Sequence, residues 1–153
     1  MQIKASDVQK IREETGLGVM DIKKALEEAD GDKKKALEIL KERAHEKMEK
    51  RAGRETSQGK IGVYTHGDGK SACMVEVDCE TDFVAKAEDF TGFVKELTLQ
   101  IISMKPTNVE ELLEQEFIKD SSKKISDLLK EIIAKTGENI VIKRFVIYQV
   151  GQE

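Results

Sequence analysis

Three carboxylates, Asp78, Glu80 and Asp82, recur at every second position where an apolar stretch gives way to Thr81 and Phe83. Oxygen-rich clusters of this kind suit hard divalent cations, which take carboxylate ligands readily. Acids and hydroxyls at a strand–helix junction have a commoner use as caps. Thr81 and Asp82 can each accept from the amides that a helix start leaves unpaired. Residues 77–85 therefore read as the corner between a strand and a helix. On the residues alone, Phe83 opens the buried stripe of that helix. If it protrudes instead, Asp82 and Phe83 form an acid–aromatic pair able to enter another protein's ion site.

Other chemistry is thinly represented. A serine or cysteine nucleophile needs a base. The histidines are His45 and His66, and His66 reads as a surface residue, with Cys73 facing inward across a hairpin. Two histidines and two cysteines make a structural zinc site a poor fit. Cys73 and Cys79 share one face if the strand between them is continuous, yet strand residues six apart lie about 20 Å apart, too far for a disulfide. They read as small buried groups. Gly16-Leu17-Gly18 has no strand before it, and Gly67-Asp68-Gly69-Lys70-Ser71 sits in a hairpin turn with no helix after it. Neither is a phosphate-binding loop. No catalytic set, cofactor or metal site is expected, and an enzyme of its own is not.

The 153 residues are 39% hydrophobic and 37% charged, with a formal net charge of −4. That balance supports small cores under a well-solvated surface. The charge is near neutral at first and mildly acidic later, which argues against direct DNA or RNA binding. No apolar run nears the about 20 residues that a membrane span requires. The N-terminus lacks a signal-peptide core, so a cytoplasmic protein is expected, with no membrane partner.

The elements that must position these residues fall into two groups. Residues 1–42 read as three short helices. Ser6 is placed to cap the first, with Gln9 completing a capping box; Gly16 and Gly18 break the chain; a second helix runs over 19–29. Asp32 caps a third, whose buried side uses Ala36, Leu37, Ile39 and Leu40. Residues 43–59 read as a helical extension fading into a linker. A second unit over 60–153 starts with alternating Ile61, Val63 and Thr65, an Asp-Gly turn, and alternating Cys73, Val75, Val77 and Cys79: a hairpin. Phe83, Ala87, Phe90, Val94, Leu97, Ile101 and Met104 then follow at steps of four and three, which predicts one long helix stopped at Pro106. A short helix over 109–113, a helix capped by Ser121 or Ser122 and closed by Gly137, and a final strand over 139–150 complete the chain. This order implies an α+β unit, a three-stranded antiparallel sheet covered by helices.

Two segments carry a family resemblance. One is Ile11-Arg12-Glu13-Glu14-Thr15-Gly16-Leu17-Gly18-Val19-Met20-Asp21-Ile22-Lys23-Lys24-Ala25-Leu26. The other is Val75-Glu76-Val77-Asp78-Cys79-Glu80-Thr81-Asp82-Phe83-Val84-Ala85-Lys86, continuing to Glu88-Asp89-Phe90. In these the chain resembles the bacterial elongation factor Ts family, the nucleotide exchange factors of the translation GTPase elongation factor Tu. The resemblance implies that the N-terminal helices form a ubiquitin-associated-like domain docking on the GTPase through Arg12, Thr15, Gly16, Leu17, Gly18, Val19 and Met20. It implies that Thr81, Asp82, Phe83 and Val84 insert near the magnesium and phosphate side of the nucleotide site. The chain has room for one core subdomain and no coiled-coil insertion, and short members of the family act as homodimers, so a homodimer is expected.

An exchange factor needs no chemistry. It must bind the nucleotide-free GTPase better than the loaded one. Phe83 suits the task as a rigid apolar wedge. Asp82 could repel the phosphates, disturb the ion's ligands, or hold the helix start. The rival reading is an adaptor without exchange activity, its helical domain binding ubiquitin-like or RNA-associated partners. A second rival is a metal enzyme using Asp78, Glu80 and Asp82.

Overall fold

In the computed structural model, residues 2–152 are described, and the chain divides into two units, one ending at Gly53 and the other starting at Arg54. The first unit is a helical bundle of α1 (Ala5–Thr15), α2 (Val19–Glu28) and α3 (Lys33–Arg51). Its core is Ile11, Ile22, Ala25, Leu26, Ala36 and Leu40, with Val8, Leu17, Leu37 and Ile39 packed around it. The apolar spacing dictates this, since residues three and four apart share a helix face.

Helix α1 starts earlier than the Ser6 capping box predicts. Lys4 holds the cap position with no side-chain bond, and its carbonyl accepts from Asp7 N at 3.0 Å. Ser6 is thus inside the first turn, where Asp7 supplies the negative charge that a helix start favours. Gly16 ends α1 in the left-handed conformation, φ 68°, donating its N–H to Arg12 O at 2.7 Å. Asp32 caps α3 as its spacing predicts, with Oδ1 accepting from Lys34 N at 2.9 Å and Lys35 N at 3.2 Å. Helix α3 continues unbroken to Arg51.

The second unit is α+β. Strands β1 (Gln58–His66), β2 (Ser71–Cys79) and β5 (Ile140–Gln149) form an antiparallel sheet in the order β1-β2-β5. Between β2 and β5 lie α4 (Asp82–Ala85), α5 (Glu88–Met104), α6 (Val109–Glu114), β3 (Glu116–Phe117), β4 (Asp120–Lys124) and α7 (Ile125–Thr136). Helix α5 crosses β1 and β2, while α6 and α7 lie against β5. Cys73, Val75, Val77 and Cys79 point inward and are buried, with both cysteines free. Gly62 is where α5 comes closest to β1: a Cβ there would lie 2.6 Å from Val94 Cγ1 and 2.9 Å from Thr98 Cγ2.

Two expectations are corrected here, and one element is new. The long helix is two helices. Ala87 is extended at ψ 144° and starts α5 afresh, so the stripe holds for Phe90, Val94, Leu97 and Ile101 but not for Phe83 or Met104, both exposed. Ser121 and Ser122 do not cap α7. They lie in β4, and α7 starts beyond Lys124, whose N–H is taken by Asp127 Oδ2 at 2.9 Å. The β3–β4 hairpin itself was not expected. It is held by buried Gln100, whose Nε2 donates to Glu116 O at 3.0 Å and whose Oε1 accepts from Ile118 N at 3.0 Å. Buried amides demand such partners.

Candidate functional site

The corner after β2 is built from a short helix with one foot in the core. Val84 and Ala85 are buried, and α4 packs against β1 and β2. Thr81 is the cap: its Oγ1 accepts from Val84 N at 3.3 Å. Asp82 is the first helical residue and caps nothing. It is exposed and its Oδ2 lies 2.8 Å from Lys86 Nζ, which holds the Lys86 ammonium above its ordinary range. Phe83 is 84% exposed. Leaving a phenylalanine in water forgoes about 2 kcal/mol that burial would return.

The backbone beneath Phe83 is held tightly. Glu138, just beyond the C-terminus of α7, reaches the corner from 57 residues away, accepting on Oε1 from Thr81 N at 3.0 Å and on Oε2 from the Thr81 hydroxyl at 2.6 Å. The Cys79 thiol donates to Thr81 O at 3.2 Å. Burial, then the charge of Glu138, pushes this thiol up to about 11, so it stays a donor at neutral pH. Sequence reasoning missed Glu138. Its role depends on a contact between distant segments, and its only local mark is a position directly after the Gly137 helix stop.

The three carboxylates that suggested metal binding do not converge. Asp78 lies on the outer sheet face beside Glu76. Burial, and then the hydrogen bond with Glu76, raises the Asp78 carboxyl, while the same bond lowers Glu76. Glu80 turns to the loop before β5, its Oε1 accepting from Asn139 N at 2.7 Å. Asp82 faces Lys86. Among the described residues no three His, Cys, Asp or Glu side chains are placed to hold one ion. His66 shares a hydrogen bond with Tyr64 Oη at 3.2 Å, and the Cys73 thiol donates to Thr98 O at 3.3 Å inside the core, so the two form no dyad.

The other candidate residues lie together in the helical unit. Arg12 is exposed on α1. The Thr15 hydroxyl donates to Ile11 O at 2.7 Å and accepts from Leu17 N at 3.3 Å, which ties down the loop. Gly16 supplies the left-handed turn and Gly18 the extended residue before α2. Leu17, one of the docking residues that the resemblance implies, is half-buried against the bundle core. The exposed apolar groups beside it are Val19 and Met20, the latter 63% exposed.

Comparison with known proteins agrees with the family resemblance. A family model described as Elongation factor TS matches residues 80–153. An elongation factor Ts of Coprothermobacter proteolyticus is 41% identical over 197 aligned residues, covering 99% of this chain and 100% of that protein. One from Leptospira biflexa is 40% identical over 99% of each chain. One from Clostridium kluyveri is 50% identical over 94% of this chain, but only 47% of its own length is matched. With the exposed corner and the helical bundle both in place, the chain belongs to the elongation factor Ts family.

Proposed function

We propose that this chain acts on elongation factor Tu through two surfaces, the Gly16–Met20 loop for docking and the Thr81–Val84 corner as the exchange lever. The protein is a guanine nucleotide exchange factor that promotes GDP release from elongation factor Tu during translation elongation. It works by binding and is not an enzyme. The observation that carries the lever is the side chain of Phe83, out in solvent on a helix whose next two residues are buried. Entering the partner's nucleotide site, the ring would displace groups that hold magnesium and phosphate, and the binding lost to GDP would be regained by the factor. Asp82 would add negative charge beside the phosphates once the ring is in place.

The docking role falls to Met20 and Val19, with Arg12 exposed on α1 and Thr15, Gly16, Leu17 and Gly18 shaping the loop. The place of action is the cytoplasm, where translation runs. Among the described residues no helix is long and apolar enough to cross a membrane.

A homodimer completes the proposal. Because Gly62 faces α5, its neighbours Ile61 and Val63 point to the uncovered side of the sheet. Val63 pairs across to Met74, and Met74 to Val146, so one apolar strip runs over all three strands, flanked by Tyr148. A continuous exposed apolar strip invites cover, and a second copy offers the same strip in a symmetric contact.

The decisive measurement is stopped-flow release of fluorescent GDP from elongation factor Tu with and without this protein. Acceleration is expected. Complex formation without acceleration would instead identify an adaptor.

A further inference from the structure

Residues 80–81 and 138–139 are locked by bonds that run both ways. The Glu138 carboxylate takes three donors from the corner: Glu80 N at 3.1 Å, Thr81 N at 3.0 Å and Thr81 Oγ1 at 2.6 Å. In return, the Glu80 carboxylate accepts from Asn139 N at 2.7 Å. The Asn139 side chain then donates to Arg54 O at 3.0 Å, tying in the segment that leads to β1. Hydrogen bonds to a charged acceptor are the short and strong ones. The Thr81 hydroxyl donates a hydrogen bond to Glu138 and accepts one from Val84 N at 3.3 Å. Glu138 and Val84 N thus engage the Thr81 hydroxyl together, at the start of the helix that carries Phe83.

We infer that Glu138 is a positioning residue for nucleotide exchange, holding the Thr81–Val84 corner so that Phe83 is presented already oriented. The inference rests on the reading of Phe83 as the lever. A loose corner would have to be ordered as the ring enters the partner, and that ordering opposes the step. Glu138 removes the cost beforehand. It does so from the loop after α7, so the lever's direction depends on how α7 and β5 are packed as well as on the strand that carries it.

The test is Glu138→Ala in the full chain, beside Phe83→Ala and the unaltered protein. GDP release from elongation factor Tu is followed over a range of factor concentrations, and amide hydrogen exchange is read at Glu80 and Thr81. Loss of charge-assisted bonds should slow the maximal release rate by about tenfold while moving the half-saturating concentration little. The Glu80 and Thr81 amides should lose protection while those of β2 and β5 keep theirs. A wild-type maximal rate for Glu138→Ala, with Phe83→Ala slow, overturns the positioning role and leaves the lever standing. A wild-type rate for Phe83→Ala sinks the lever itself. A rate loss matched by the fraction of unfolded protein also overturns positioning. Should Glu138→Ala fold poorly, Glu138→Gln keeps an oxygen acceptor at the same reach. Partial protection with a partial rate loss then supports the role, and lost protection with a wild-type rate refutes it.

Discussion

Phe83 and Val84 are neighbours in sequence and opposites in environment, 84% and 6% exposed. One anchors α4 in the core and the other is offered to solvent, so the same turn that buries Val84 projects the ring. The anchor makes the projection rigid, and rigidity is what a wedge requires.

The ring should therefore matter to exchange far more than to folding. Phe83→Ala is expected to slow GDP release by about tenfold or more, with a thermal midpoint at or above wild type, because the lost side chain is not in the core. Stopped-flow release together with calorimetric melting would check both parts. An unchanged release rate would remove the ring from the mechanism.

On the helical unit, Met20 stands outside the bundle core. Met20→Glu should weaken complex formation by about tenfold, as expected for an apolar anchor, and leave helicity intact. Titration calorimetry with nucleotide-free elongation factor Tu measures this. Wild-type affinity would move the docking surface elsewhere.

The sheet strip gives a prediction about assembly. Val63 is 65% exposed and forms the β1 end of the strip. Val63→Lys would bury an unpaired charge in the apolar contact of each copy and should shift the protein to monomer in sedimentation velocity. A wild-type chain that sediments as a monomer at micromolar concentration would exclude the homodimer.

Cys79 links the corner to pH. Its thiol rises from the ordinary 9.0 to about 11, through burial first and then the Glu138 charge. A raised folded value favours the protonated form, so this contribution to stability is complete below pH 9 and is lost as pH climbs through about 11. Native protein at pH 8 should resist alkylation at Cys79, and urea midpoints should fall above pH 9. Rapid alkylation of the native chain at pH 8 would contradict the buried, hydrogen-bonded thiol.

Much of this protein can be read from local pattern alone. The Asp32 cap, the Gly16 and Gly137 helix stops, the Asp-Gly hairpin and the Phe90–Ile101 stripe are short-range events, set by backbone sterics and by which residues share a face. They sufficed for the helical bundle and the antiparallel sheet. Periodicity could not show that Ala87 interrupts the stripe, because a step of four looks alike on either side of a break. Whether Phe83 was core or tip therefore awaited packing against β1 and β2. Glu138 was silent for a related reason: its meaning lies in amides 57 residues distant. Sequence spacing carries information over a few turns of chain, whereas the direction of an exposed side chain is decided by whichever distant groups satisfy the backbone beneath it.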